Sequence, residues 1–509
     1  MTKGSNIRLR PALVAAIAVA MGVASSQSRA QSWHIEPSVT ASTTATRVGS
    51  GSSGKTLDGE ISVTPSVLLS GRGAHFQLDA DASLQGLKYV VSEKTDKALP
   101  RGNLTLKVTP VDRWVSVNGS VSVEQATEDP YSLQGTSQVV TTKRYRLGPV
   151  IDHDFTSSLS LLARSDNLWT RRAGTGSGTA LDRDSRVEQS LVRLDQKPQP
   201  LGGWAEVSRE RTHYVSNALS GQDLDSARAA LTYGPNPDLI LGVSAGTERT
   251  RLSQERSVNS TYGFSLDWRP TERAHAQLAL EHHIFGLGGS AEWSHRSPFG
   301  AVEVRLRRAA ASQPTSILLS PPDGDVASLL DAMYTTRIPD ATQRGIAVRN
   351  IISTLGLAPI LSGPVEVFSN YVQLQQAASI NASFVGRLTT ISVGVFSLKS
   401  TALRREGSAQ TLLNLDAGAD TAQLGGSVEV NRRITPVTSI NLGFHAARIL
   451  GLGTQSGNRS TEKAGSLNVN HTLSPKTSVF GGVRYRVLAS NVAVPTDETA
   501  LFLGTRHRF

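Results

Sequence analysis

The sequence predicts an all-β fold: a transmembrane, up-and-down antiparallel β-barrel of about 22 strands with a helical extracellular insert. Three observations lead there. The chain opens with an export signal, its apolar and polar residues alternate with period two almost to the end, and its connections alternate between short and long.

The export signal has three parts. Lys3, Arg8 and Arg10 make a positive n-region, Pro11–Ala24 an apolar h-region, and Ser28-Arg29-Ala30 a small-residue cleavage site, which places the cut between Ala30 and Gln31. As an uncleaved anchor the apolar run is too short, because a bilayer needs roughly 20 residues. The domain plan is therefore a signal peptide over 1–30 and a barrel over 31–509, with an insert at 311–366. No later segment is apolar and long enough for a helical span.

Composition narrows the function classes. With no cysteine, disulfides and thiolate metal sites are ruled out, so a chain of this size must rely on an extensive hydrogen-bonded sheet. The formal charge of +10 shrinks without the signal, whose four basic residues (Lys3, Arg8, Arg10, Arg29) leave 48 basic against 42 acidic side chains. That surplus, with no basic run interleaved with aromatics, excludes a nucleic-acid partner. It leaves open a mildly basic channel that prefers anions.

The strands show themselves by alternation. In the stretch from Ala74, residues Phe76, Leu78, Ala80, Ala82 and Leu84 fall on one face, and His75, Gln77, Asp79, Asp81 and Ser83 on the other. Val115, Val117, Val121 and Val123 repeat the pattern, as do Tyr262, Phe264, Leu266 and Trp268. A soluble sandwich alternates too, but strands of about 10–14 residues suit a tilted membrane crossing better than a globular sheet. Short turns fall at Gly71-Arg72-Gly73, Pro110-Val111-Asp112, Gly234–Asp238, Pro270-Thr271-Glu272, Ser297-Pro298-Phe299 and Ser474-Pro475-Lys476. Longer polar connections lie between them, such as Thr46–Thr56, Thr127–Ser137, Thr170–Asp182 and Arg404–Ala419. Outer-membrane barrels pair short periplasmic turns with long external loops in this way.

Aromatic residues fit two interfacial girdles: Trp114, Phe155, Trp204, Trp268 and Phe480 beside short turns, and Tyr89, Tyr131 and Trp169 beside long loops. The last strand, Leu501–Phe509, ends in Phe509 on the apolar register, which resembles the signal that barrel-assembly machinery recognises. Outer-membrane lipid and that machinery are the partners this fold implies.

The alternation stops between Ala310 and Val367. There Asp325 can cap a helix carrying Val326, Leu329, Leu330 and Met333, and Pro339-Asp340 precede a second over Ala341–Leu355, stopped by Gly356. By loop parity this insert is extracellular, a lid or a constriction at the barrel mouth. Its apolar residues need burial, which favours an ordered segment.

Catalytic and metal signatures are missing from the pattern. His282-His283 are neighbours on a strand and point oppositely, so they cannot share a metal, and no cofactor is expected. Asp152-His153-Asp154 reads as solvated turn chemistry, and Gly174–Gly178 lacks the helix N-terminus a phosphate cradle needs. A charged cluster is more informative. Asp267, Arg269, His275, Gln277, Glu281, His283, Glu292, Arg296, Glu303, Arg305 and Arg307 all fall on the wet register of four consecutive strands. They are candidate lumen-lining residues, either a salt-bridged wall that keeps the barrel round or a polar track for a hydroxylated or charged solute.

The same region carries a resemblance. Trp268-Arg269-Pro270-Thr271-Glu272-Arg273, Glu281-His282-His283-Ile284-Phe285-Gly286 and His295-Arg296-Ser297-Pro298 resemble the pattern of the PEP-CTERM system-associated outer-membrane protein family. Leu329–Met333, Arg337-Ile338-Pro339-Asp340 and the mature start Trp33–Pro37 are similar to it as well. The family accompanies exosortase and exopolysaccharide gene clusters. The resemblance implies a barrel, not an enzyme, with exopolysaccharide and its export apparatus as partners. Two functions follow: a conduit for polymer or another solute (a general porin included), or a non-transporting scaffold or receptor of the export machinery. An outer-membrane hydrolase lacks a Ser/His or paired-acid site, and a plugged TonB-dependent transporter is disfavoured by a first strand beginning at Trp33.

Overall fold

In a computed structural model of the chain, the described residues are 32–50, 54–91, 96–112, 114–127, 131, 139–173, 184–214, 222–252, 255–311, 373–403 and 420–509, with a few positions between 330 and 348. Residues 1–31, with the expected export signal and the Ala30–Gln31 cleavage site, lie outside them.

Among the described residues, twenty-two strands follow one another. The first seven are β1 (Ser32–Ser50), β2 (Lys55–Arg72), β3 (Phe76–Tyr89), β4 (Lys97–Val111), β5 (Val115–Thr127), β6 (Val139–Asp154) and β7 (Leu159–Ala173). Next come β8 (Ser185–Gln196), β9 (Leu201–Tyr214), β10 (Gln222–Asn236), β11 (Leu239–Leu252), β12 (Glu255–Thr271), β13 (Ala274–His283), β14 (Gly286–Ser297) and β15 (Gly300–Ala311). The last seven are β16 (Gln373–Val385), β17 (Thr389–Ala402), β18 (Thr421–Thr435), β19 (Thr438–Gly451), β20 (Arg459–Ser474), β21 (Thr477–Ser490) and β22 (Thr496–Arg508).

Each strand pairs antiparallel with its neighbours in sequence, and β1 pairs with both β2 and β22. The sheet therefore closes on itself and has no free edge, which satisfies every ladder without water. At the seam Ser38 faces Arg508, the Phe509 amide donates to the Pro37 carbonyl at 3.0 Å, and Arg508 pairs with Glu36 at 3.1 Å. The ring of the terminal Phe509 stands exposed on the outer face, edge-on to His507.

The exposure pattern inverts that of a soluble protein. Leu231 is 72% exposed and Val207 61%, whereas Glu206 is 7% exposed and Thr212 is fully covered. Neighbours along one strand point to opposite faces, so the greasy face of the wall looks outward and the polar face looks into the barrel. In β12 the outward set is Tyr262, Phe264 and Trp268, and the inward set is Gly263, Ser265 and Asp267. No helix among the described residues is long and apolar enough to cross a membrane, and the strands supply the crossing instead.

Several aromatic residues depart from the girdle expectation, and Tyr89, opposite Glu60 on the polar register, points inward. Trp204 shares its face with Asp195 and Arg193, and Phe480 shares its face with Gly504 and Arg484, so both point inward. Both occupy the polar register of their strands, and the register outranks the affinity of a ring for the interface. Tyr131 also leaves the girdle: it is buried, and its hydroxyl donates to Gln455 Oε1 at 3.0 Å across the long-loop end.

Loop lengths follow parity with two exceptions. At the long-loop end, β11–β12 and β13–β14 are joined by two residues each, 253–254 and 284–285. The β13–β14 hairpin is also the shortest in the wall, so the rim dips there. Its tip packs Ile284 and Phe285 against Leu374 and Leu403, which flank the long connection after β15 and the one after β17.

The helices expected over 311–366 lie outside the described residues apart from scattered positions. Among these Leu330, Met333 and Val348 are buried, and Arg344 Nε reaches Asp331 Oδ1 at 2.9 Å.

Candidate functional site: the inner wall

The short turn Ser297–Gly300 fixes the register of the β14–β15 hairpin. Positions equidistant from the turn face one another, so Glu292 lies opposite Arg305 and Ser294 opposite Glu303. Arg305 Nε stands 3.6 Å from Glu292 Oε2, and its Nη2 contacts Glu303 on its own strand. The alternate residues Trp293, Val304 and Leu306 take the outer face.

One hairpin earlier, Asp267 is the hub. Its Oδ1 accepts from His275 Nε2 at 3.1 Å and lies 3.3 Å from Arg269 Nε, while its Oδ2 accepts from Gln277 at 3.0 Å. Arg296 donates to the Glu272 carbonyl at 2.9 Å and so braces the short turn below. Arg307 pairs in register with Ser290 and Ala377, carries no ion-pair partner among the described residues, and is exposed on the inner face.

The remaining two predicted residues, Glu281 and His283, belong to a longer chain of contacts across β8–β13. Arg193 lies 3.7 Å from Glu206, Glu206 binds the guanidinium of Arg228, and Arg228 reaches Glu281. His283 Nε2 lies 3.7 Å from Glu281, and its Nδ1 donates to Glu248 Oε2 at 2.9 Å. The other oxygen of Glu248 accepts the Ile284 amide at 2.7 Å, which pins the β13–β14 tip to the inner face of β11. Arg193 also lies over the ring of Trp204, 4.5 Å from its centroid, a cation–π contact on the same face.

The reach of Arg228 depends on glycine. Arg228 is on β10 and Glu281 on β13, so the side chain must pass over β11 and β12. On those strands the inward positions level with the pair are Gly246, opposite Arg228, and Gly263, opposite Glu281. A Cβ on Gly246 would clash with the Ala227 carbonyl oxygen and stand 2.8 Å from both Cα and Cγ of Arg228, so the glycine admits the β10 backbone as well as the Arg228 side chain. The network lies on the register opposite the exposed Val207, Leu231, Val243 and Tyr262, which places it in the lumen, and the inward curvature of the wall shortens the span from β10 to β13.

Arg193, Glu206, Arg228 and Glu248 were not among the residues singled out from the sequence. The signal was there: Glu206 alternates with Ala205 and Val207, and Arg228 with Ala227 and Ala229. Among the described residues no group of three His, Cys, Asp or Glu side chains is arranged to hold a metal ion.

The inner face of β16–β19 has a different chemistry. Ser383 and Ser392 share a hydrogen bond at 3.1 Å, and Gln375, Ser400, Thr421 and Ser427 continue a nearly uncharged hydroxyl and amide surface. All are buried. Gln375 Oε1, Thr421 Oγ1 and Ser427 Oγ have no hydrogen-bond partner among the described residues. The β16–β19 face thus stands apart from the rest of the described inner wall, which is ion-paired over β8–β15 and again through Arg486–Glu462, Arg484–Glu498 and Arg146–Asp166.

A closed 22-stranded antiparallel wall, greasy outside and ion-paired inside, defines a membrane-spanning β-barrel. No known protein family and no curated protein matches the chain in sequence. In fold it is similar to the FrpB iron transporter from Neisseria meningitidis (F3-3 variant), with 10% identity, 93% of this chain and 81% of that chain covered, and a TM-score of 0.50. The siderophore receptor PirA from Pseudomonas aeruginosa gives 10% identity over 94% of this chain and 81% of that chain, with a TM-score of 0.41. Pseudomonas aeruginosa OccK2 (OpdF) gives 10% identity over 94% of this chain and all of its own length, at 0.37.

Proposed function

We propose that this chain is an outer-membrane barrel that acts as a conduit for an exported exopolysaccharide or a comparable hydroxylated solute, within a PEP-CTERM type export system. The observation that carries the proposal is the nearly uncharged β16–β19 face of the lumen. A sugar polymer presents many hydroxyls and few charges, and the inner face of β16–β19 is built of hydroxyls and amides such as Gln375, Ser400 and Ser427, which are covered until an opening of the lumen exposes them. Buried polar atoms favour an occupant that can pair with them. The ion-paired side holds the wall in shape without presenting a field of one sign, because Asp267, Glu281 and Glu303 each have a basic partner. The 22-strand wall and the resemblance over Trp268–Pro298 support the same reading. The insert over 311–366 would fold at the long-loop mouth as a lid or constriction.

A non-transporting scaffold is the second reading. It is favoured by one observation: the inner residues Ser383, Ser392 and Thr421 are covered almost completely, as they would be in a filled lumen. Planar-bilayer recordings of the full chain and of a variant lacking 311–366 separate the two. The conduit reading expects gated openings in the full chain, a larger steady conductance without the insert, and block by neutral oligosaccharide. A variant that folds but passes no current and takes up no oligosaccharide would leave the scaffold reading.

A further inference from the structure

Near the long-loop end, two rows of charged side chains cross the outer face of β8–β12. The register sets Glu188, Arg211, Asp223, Arg251 and Arg256 level with one another on five successive strands. One step lower, Arg209, Asp225 and Arg249 are level on β9, β10 and β11. Arg186 stands above, paired with Glu188 at 2.7 Å and over the Trp169 ring at 5.5 Å. All share the outward face with Val207, Leu231 and Val243.

Six arginines meet three carboxylates here. The acids are engaged: Asp225 with Arg209 at 3.2 Å, Asp223 with Arg251 at 3.6 Å, and Glu188 with Arg186. Arg211, Arg249 and Arg256 have no ion-pair partner among the described residues, so the patch keeps a surplus of positive charge. An outward arginine in the hydrocarbon layer would cost roughly 2–4 kcal/mol at the midplane, so its depth matters. From Leu239, at the short-turn end of β11, to Arg249 the strand advances about 33 Å. At a tilt near 45° that is about 23 Å of height, close to the ~25 Å apolar band of such barrels. The rows therefore stand at the headgroup level of the leaflet on the long-loop side.

We propose that this patch binds the phosphates of an anionic glycolipid in that leaflet. Guanidinium forks fit phosphate oxygens two at a time. Directly beneath the arginines the same face is apolar, with Val192, Val207, Leu231 and Tyr262 exposed, which gives acyl chains a surface continuous with the charged rows. That continuity favours an amphiphile over a free anion.

The test titrates the full-length barrel, folded in detergent, with bisphosphorylated lipid A, with the same lipid stripped of its phosphates, and with inorganic phosphate as competitor. The bisphosphorylated lipid should bind tighter than the stripped one, and inorganic phosphate should not displace it. Combining Arg209→Gln, Arg249→Gln and Arg251→Gln should weaken binding on the order of tenfold to a hundredfold at low salt. Asp223→Asn should strengthen it, and this single, isosteric change at a half-buried position serves as the second measurement if the triple variant does not fold. Equal affinity for the two lipids, or unchanged affinity in both variants, overturns the proposal. Displacement by inorganic phosphate overturns the assignment to a lipid.

Discussion

At the scale of single residues, the crossing of Arg228 over Gly246 is the most exacting contact in the lumen. Gly246→Val should both strain the β10–β11 ladder and push the guanidinium off Glu281, because the new Cβ meets the Ala227 carbonyl and takes the space of Arg228 Cγ. Arg228→Met should destabilise the folded barrel by about 2–3 kcal/mol, since it leaves Glu206 only the longer contact with Arg193 and Glu281 only that with His283, with the wet lumen screening part of the penalty. Urea unfolding from lipid vesicles would measure both, and a loss below about 0.5 kcal/mol for Arg228→Met would show the network to be ornamental. By contrast Glu292→Gln should change stability by less than about 1 kcal/mol, while Val304→Arg, which puts a charge on the lipid face, should cost roughly 2–4 kcal/mol. The pairing of Glu292 with Arg305 could be read from the sequence because a short turn and strict alternation leave one register. The contact between Arg228 and Glu281 could not. It joins strands that are not neighbours, and alternation says which way a side chain points without saying how the wall curves.

Among the elements, the β13–β14 hairpin is distinctive for being low and pinned. Both oxygens of Glu248 are committed to its tip, one to the Ile284 amide and one to His283. Glu248→Ala should therefore release the tip: the Ile284 amide should exchange with solvent at least about tenfold faster, while the amides of β14 and β15 below it stay protected. Unchanged exchange at Ile284 would mean that packing on Leu374 and Leu403 holds the tip by itself. Strand positions were legible because each has a greasy register, but the ends were not. Thr46–Thr56 reads as a loop by composition, yet the ladder runs to Ser50 and resumes at Lys55. Small polar residues such as Thr and Ser are accepted in a paired strand once neighbours supply the hydrogen bonds. Trp204 and Phe480 misled for the opposite reason, since ring chemistry suggested the interface although their polar registers pointed inward.

For the whole molecule, orientation follows from loop length alone and can be checked directly. A cysteine placed within residues 174–183 should label on intact cells, whereas one at Gly73 or Asp112 should not; reversed labelling would invert the barrel in its membrane. Removal of Phe509 should slow insertion and leave protein for periplasmic proteases, because its ring is exposed on the outer face beside the seam. Normal amounts of heat-modifiable barrel would count against that role.

The seam also sets the order of events in assembly. Its partners Ser38 and Arg508 face each other from the first and the last strand, so their contact order is as long as the barrel allows. Closing a flexible loop of that length costs about 5 kcal/mol in chain entropy, and the contacts that offset it cannot form until the last strand has been made. Every C-terminally shortened chain would present two raw edges, those of β1 and of its own last strand, each a template for pairing with another copy. Premature termination should therefore yield aggregation in place of a smaller working barrel.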